Sequence, residues 1–130
     1  MTTKYKIAIV EDEPAIAEMY RFKLEHSGYE ARVALNGKTG LELVTSFRPQ
    51  LILLDLMLPE VTGSQLLQNV RATDWGKDIK VIVLTNISNA DAPAELNSLG
   101  VDHYVVKANY TPAQVVALVT EVLSSQSSTK

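Results

Sequence analysis

Apolar residues gather in five short runs, at residues 7–10, 31–35, 51–54, 81–84 and 104–106. Leu51-Ile52-Leu53-Leu54 and Val81-Ile82-Val83-Leu84 do not alternate with polar residues. Such uninterrupted runs belong to strands covered on both faces, as in a parallel sheet packed between helices. The second run carries Arg32 between Ala31 and Val33, which fits a strand at the sheet edge. Between the runs the spacing turns helical. Pro14 suits a first helical turn, Ile16, Met19, Tyr20 and Leu24 form an inward stripe, and Ser27-Gly28 ends it. Thr111-Pro112-Ala113-Gln114 joins an N-cap, a proline at the first helical position and a glutamine at the third, a capping box that opens the last helix. Its stripe is Val115, Leu118, Val119, Val122 and Leu123; Val116 lies outside it and is expected exposed. Weaker helical patterns span 41–47, 65–72 and 92–99. The serine-rich stretch 124–130 reads as a disordered tail or linker after a domain ending at 123.

Five alternating strands and helices with right-handed crossovers predict a doubly wound α/β domain with a five-stranded parallel sheet. The flavodoxin-like order 2-1-3-4-5 is the economical arrangement for such a (βα)5 chain, and it makes strands one and three neighbours at a switch point. With 130 residues, 46% of them apolar, the chain suits one domain around one core. A net charge of -3 and a pI near 5.3 provide no basic footprint for direct nucleic-acid binding. The absence of cysteine excludes disulfides and thiolate metal sites. No stretch reaches the roughly 18 apolar residues of a membrane span, and the N-terminal residues have no apolar leader pattern, so a cytoplasmic protein is expected.

In this topology the polar residues after each apolar run meet at the carboxyl edge of the sheet. They are Glu11 and Asp12, Asp55, Thr85 and Asn86, and Lys107. Clustered carboxylates raise one another's pKa unless a cation lies among them. An oxygen-only donor set with no cysteine and no suitably placed histidine points to a hard ion, and Mg²⁺ is the natural choice beside a phosphate. Asp55 could then attack a phosphoryl group in line, Lys107 could pair with one phosphoryl oxygen, and Thr85 could donate to another, leaving an aspartyl phosphate. Each residue taken alone has a plainer reading: an aspartate after a strand is usually a turn or cap residue, and a lone lysine a solvated one.

The ordered set of Glu11-Asp12, the segment Asp55-Leu56-Met57-Leu58-Pro59-Glu60-Val61-Thr62-Gly63, then Thr85, Tyr104 and Lys107 resembles the receiver domain of bacterial two-component response regulators. The resemblance runs from Lys4 to about Leu123. It implies that Asp55 is the phosphoacceptor, and that Asp12, Asp55 and the Met57 carbonyl hold Mg²⁺, with Glu11 acting through water. It further implies Thr85 and Tyr104 as a switch pair, and a sensor histidine kinase or phosphotransfer protein as donor. A stand-alone receiver is expected, with nothing after helix five to form an effector domain, and output would pass by protein contact through the surface of the fourth helix, fifth strand and fifth helix. Such a domain catalyses only its own phosphorylation and dephosphorylation, and is not an enzyme in the ordinary sense. The family usually has proline after the conserved lysine; here Ala108 follows Lys107, and a trans bond is expected because a cis bond there costs about 2.5–4 kcal/mol. Asn86, where the family is often small, is expected to alter access to Asp55.

Other functions fit less well. An FMN-binding electron carrier would place a phosphate-cradling loop where this chain has Glu11-Asp12-Glu13-Pro14. A haloacid dehalogenase-type phosphatase resembles a pattern with a second aspartate two residues after the first, and position 57 is methionine. The remaining alternatives are a degenerate receiver serving as a constitutive protein-binding module, and a receiver excised from a larger kinase or regulator. Helix five carries only Glu121 between 113 and 123, so no charge-zippered dimer is expected, but a monomer or weak dimer with Val116 as a contact. His26 is expected at the surface near a helix C-terminus, His103 as structural or exposed, and Trp75 over the end of the third helix.

Overall fold

The computed structural model describes residues 4–128, with side chains to 124. Five parallel strands, β1 (Lys6–Val10), β2 (Glu30–Ala34), β3 (Leu51–Leu54), β4 (Lys80–Thr85) and β5 (His103–Val106), form one sheet in the order β2-β1-β3-β4-β5. This is the doubly wound order expected. Among the described residues four helices flank it: α1 (Pro14–His26), α2 (Gly37–Phe47), α3 (Gly63–Arg71) and α4 (Pro112–Ser128).

The central strands bury both faces, and the core is therefore double. Ile7, Ile9, Leu51, Leu53 and Ile82 face α1 and α4, where they meet Tyr20, Leu24, Val115 and Val119. Ala8, Val10, Ile52, Leu54, Val81 and Val83 face the other way, onto Val44 of α2 and Leu66, Leu67 and Val70 of α3. This partition is why the strand runs lack alternation: each successive side chain finds a helix. Arg32, on edge strand β2, is exposed and lies over the Phe47 ring at 4.5 Å.

Helix starts follow their caps. Thr62 and Gln65 form a capping box at α3, and Asn36 accepts from the Thr39 N–H at α2. At α4 the expected box is present: the Thr111 N–H donates to Gln114 Oε1 at 2.8 Å, and the Gln114 N–H to Thr111 Oγ1 at 3.2 Å.

Three expectations change. The helix predicted over 92–99 is absent; two 3₁₀ turns, Asn89–Asp91 and Ala94–Ser98, take its place. Pro93 is the cause, since it removes an N–H donor and holds Ala92 in extended backbone at φ -62, ψ 142. Val116 is half-buried rather than exposed, because it packs on the core beside α1. Helix α4 runs to Ser128, five residues past the boundary read at 123, and the rest of the expected tail lies outside the described residues.

The minor expectations stand closer. His26 is exposed and stacks on Phe22 at 5.5 Å. His103 is half-buried at the start of β5. Trp75 packs against the core beside α3, with the Arg48 guanidinium 4.2 Å from its ring centre. No helix among the described residues is long and apolar enough to cross a membrane.

Candidate functional site

The ladder hydrogen bonds continue one residue past the strands and fix the first two site residues. The Asp55 N–H donates to the Val10 carbonyl at 2.9 Å, and the Glu11 N–H to the Ala34 carbonyl at 3.1 Å. Asp55 and Glu11 are thereby set side by side beyond β3 and β1, the adjacent strands where the winding of the sheet reverses. Thr85 pairs in register with Val106, so Lys107 emerges next to it from the end of β5. Thr85 is the last residue of β4 rather than the first one after it.

Asp55 and Glu11 are almost fully buried, at 5% and 3% exposure, while Asp12 is open to solvent. Oxygens from the three carboxylates come within 4.8 Å of one another. The Lys107 ammonium donates to Glu11 Oε1 at 2.7 Å and to Asp55 Oδ2 at 3.4 Å. Backbone N–H groups take the other oxygens: Glu13 donates to Glu11 Oε2 and Met57 to Asp55 Oδ1, each at 3.1 Å.

Burial is the largest influence on both Glu11 and Lys107, and it disfavours charge on each. For Glu11 desolvation outweighs the Lys107 and Glu13 hydrogen bonds, and the Asp55 charge adds to it, so its pKa lies above the ordinary glutamate value. For Lys107 the desolvation cost is overcome by the Glu11 hydrogen bond and the Asp55 and Glu11 charges, so its pKa lies above the ordinary lysine value. One ammonium thus faces three carboxylates, and negative charge remains in excess.

That excess, with donors that are all oxygen, suits a hard divalent cation. Glu11, Asp12 and Asp55 are the residues that could hold one. Met57 is largely exposed, and its N–H donates to Asp55 Oδ1, which sets it beside the acceptor.

Thr85 is fully buried, and its hydroxyl accepts from the Ile87 N–H at 3.4 Å. The Tyr104 hydroxyl donates to the Ile87 carbonyl at 2.9 Å. The two residues of the expected switch pair therefore hold the peptide groups on either side of Ile87, Thr85 at its N–H and Tyr104 at its carbonyl. Asn86, which follows Thr85 in the chain, is exposed. Among the described residues no peptide bond is cis, so Lys107-Ala108 is trans as expected.

Two contributors were not singled out from sequence. Gly63 opens α3 directly over the acceptor, and a Cβ there would stand 2.4 Å from the Asp55 carbonyl oxygen. Its place within the Asp55 to Gly63 segment was the available signal. Tyr20, read as core, lies near enough to Lys107 and Glu11 to feel their charges; burial, the larger influence, raises its pKa.

The family model of the response regulator receiver domain matches residues 7–120, and the chain belongs to that family. It is 35% identical over 102 residues to the DNA-binding dual master transcriptional regulator RpaA of a Synechocystis species, covering 78% of this chain and 42% of the relative. It is likewise 35% identical over 117 residues to the phosphate regulon transcriptional regulatory protein PhoB of Pseudomonas aeruginosa, covering 90% and 51%. The chain thus spans about half the length of these curated relatives. Among solved structures, a CheY-like response regulator receiver domain protein from Methanospirillum hungatei superposes with a TM-score of 0.85 at 28% identity, covering 96% of this chain and 98% of that one. The chain is a signalling receiver domain of the two-component type.

Proposed function

We propose that this domain accepts a phosphoryl group on Asp55 from a sensor histidine kinase or phosphotransfer protein, with Mg²⁺ held by Glu11, Asp12, Asp55 and the Met57 carbonyl. The observation that carries the reading is the buried Asp55 carboxylate, set between two further carboxylates and the Lys107 ammonium. An Asp55 oxygen forms the new P–O bond while the donor's P–N bond breaks and the imidazole leaves. Lys107 already reaches Asp55 Oδ2 and would pair with a phosphoryl oxygen as charge develops. Mg²⁺, when bound, offsets the charge of the carboxylates and of the incoming phosphoryl oxygens.

Thr85 would give up the Ile87 N–H and donate its hydroxyl hydrogen to the phosphoryl group. Because Tyr104 holds the carbonyl of the same Ile87, that movement reaches the β4–β5 connection and the surface of β5 and α4. The equilibrium shifts only by the difference in phosphoryl contacts between the two states. Thr85 and Tyr104 are thus the proposed switch pair, and the setting is cytoplasmic.

The lengths of the relatives favour a receiver that works as one part of a longer regulator. DNA contacts would then come from another part, since this chain carries net negative charge.

Intact-mass spectrometry after incubation with acetyl phosphate, with and without Mg²⁺, tests the assignment. Metal-dependent addition of one phosphoryl group, absent in Asp55→Asn, is expected. No addition to the wild-type protein, or equal addition to the variant, overturns it.

A further inference from the structure

Tyr20 carries a hydroxyl that neither packing nor the proposed reaction uses. It is 5% exposed on the inward face of α1, in the core cluster that also holds Ile9, Leu24, Leu53 and Leu84. Its neighbours along that stripe, Ile16, Met19 and Leu24, are apolar, and a phenylalanine ring would fill the same space. Two other tyrosines commit their hydroxyls: Tyr29 bonds Thr120 Oγ1 and Tyr104 the Ile87 carbonyl, each at 2.9 Å. Among the described residues nothing holds the Tyr20 hydroxyl, and no side-chain polar atom fully shut off from solvent lacks a partner. The Tyr20 ring is thus sunk in the core with its uncommitted hydroxyl at the rim.

That rim belongs to the carboxylate site. Tyr20 lines one cavity with Glu11 and Asp55, together with Ile9, Val10, Leu53 and Leu84, and the space is too narrow to admit a water molecule. The charges that reach Tyr20 are those of Lys107 and Glu11. Glu11 is 3% exposed and has both oxygens occupied, Oε1 by the Lys107 ammonium at 2.7 Å and Oε2 by the Glu13 N–H at 3.1 Å. An ammonium that turns to a phosphoryl oxygen leaves Oε1 without its donor, and a buried carboxylate oxygen so left costs stability. Of the side chains that line the cavity, Ile9, Val10, Leu53 and Leu84 have no hydrogen to donate, and Asp55 as a carboxylate has none either. Tyr20 has one.

We propose that Tyr20 is a positioning residue of the acceptor site: its hydroxyl is the second partner of Glu11, donating to the carboxylate as the Lys107 ammonium turns from it to a phosphoryl oxygen. Only hydrogen bonds are exchanged, and Glu11 stays in place beside Asp55 while Lys107 moves. The turn of Lys107 rests on the phosphoacceptor reading; the readiness of Tyr20 to replace it at Glu11 does not.

Tyr20→Phe deletes the hydroxyl and keeps the ring, and Lys107→Met removes the ammonium without any phosphoryl group. Urea unfolding of the full chain, free of metal, gives the folding equilibrium constant for wild type, both single variants and the double variant. With Lys107 present, Tyr20→Phe should change that constant by less than about threefold, since it breaks no bond. In the Lys107→Met background it should lower it about tenfold or more, because a hydrogen bond to a buried carboxylate is then lost. Equal effects in the two backgrounds overturn the proposal. A second measurement does not depend on Lys107→Met folding: tyrosine labelled with carbon-13 at Cζ, in equal parts H₂O and D₂O, with the Tyr20 line identified by its loss in Tyr20→Phe. Addition of Mg²⁺ and beryllofluoride, a phosphoryl mimic, should shift this line and split it in two as exchange of the bonded hydroxyl slows. A line that stays single and unmoved while the Asp55 amide reports binding also overturns the proposal. Wild-type protein that binds no beryllofluoride instead overturns the phosphoacceptor reading, and the urea comparison then decides Tyr20 alone.

Discussion

Gly63 offers the sharpest test of how the fold holds the acceptor. A Cβ at this position would lie 2.4 Å from the Asp55 carbonyl oxygen, 2.7 Å from Leu56 Cα and 3.1 Å from the Asp55 carbonyl carbon. Ordinary carbon contacts need about 3.5 Å, so Gly63→Ala requires the backbone to open by about 1 Å. All three obstructing atoms belong to backbone, so no side chain can swing aside. The helix cannot retreat cheaply either: Leu66, Leu67 and Val70 anchor α3 in the core at 0% exposure, and the Gly63 N–H donates to the Leu56 carbonyl at 3.1 Å. Overpacking of this kind costs about 1–3 kcal/mol, and the upper end applies against rigid backbone. At about 4 °C per kcal/mol for a domain of this size, Tm should fall by about 12 °C.

The displaced peptide carries Asp55 with it. A misplacement of about 1 Å can cost up to 100-fold in rate, so phosphorylation should slow more than stability alone explains. Thermal melting followed by circular dichroism measures the first effect, and timed intact-mass spectra with acetyl phosphate the second. Gly28→Ala is the contrast, because open space surrounds that site and only its φ of 100° opposes a side chain. It should cost about 1–2 kcal/mol and leave phosphorylation unchanged. A Gly63→Ala protein that melts and reacts like wild type would refute the argument.

Further outcomes follow from the same geometry. Arg71 donates to the carbonyls of Leu99, Gly76, Lys77, Ile79 and Gly100, tying the segment before β4 to the turn before β5. Arg71→Met should therefore lose about 2–3 kcal/mol, read from urea midpoints, and a loss below about 1 would count against the clamp. Saturating Mg²⁺ at about 100 times its Kd should stabilise by about 2.7 kcal/mol, or about 10 °C in Tm, and Asp12→Asn should abolish most of that rise. An equal rise in the variant would remove Asp12 from the metal site. Lys107→Met leaves buried Glu11 and Asp55 without their ammonium, so the metal-free protein should lose about 3 kcal/mol and regain part of it with Mg²⁺. No destabilisation without metal would show that the carboxylates do not need Lys107. Tyr104→Phe deletes the bond to the Ile87 carbonyl at a cost of about 0.5–1.5 kcal/mol, and amide exchange in residues 86–91 should quicken; unchanged exchange would mean that Tyr104 does not hold the loop.

Much of this architecture could be read along the chain because it depends on local or periodic signals. Unbroken apolar runs marked strands covered on both faces, Thr111 and Gln114 marked a helix start, and the polar residues ending each run marked the site edge. The order of the strands follows from how few ways short right-handed crossovers can be packed. Other features depend on residues distant in sequence, and only the tertiary structure decided them. Helical spacing over 92–99 could not weigh what Pro93 removes against what core packing of Leu96 supplies without a helix. Val116 was placed on a solvent face by its helix alone, and the neighbouring α1 covers it. Arg71 resembles any helix-terminal arginine until the turns at Gly76 and Gly100 bring their carbonyls to it. The meeting of three carboxylates and one ammonium could be read from the strand ends, but not that Lys107 lies closer to Glu11, at 2.7 Å, than to Asp55, at 3.4 Å. A sequence carries the periodicity of each element by itself, but burial and charge balance are sums over neighbours, and neighbours exist only once the chain has folded.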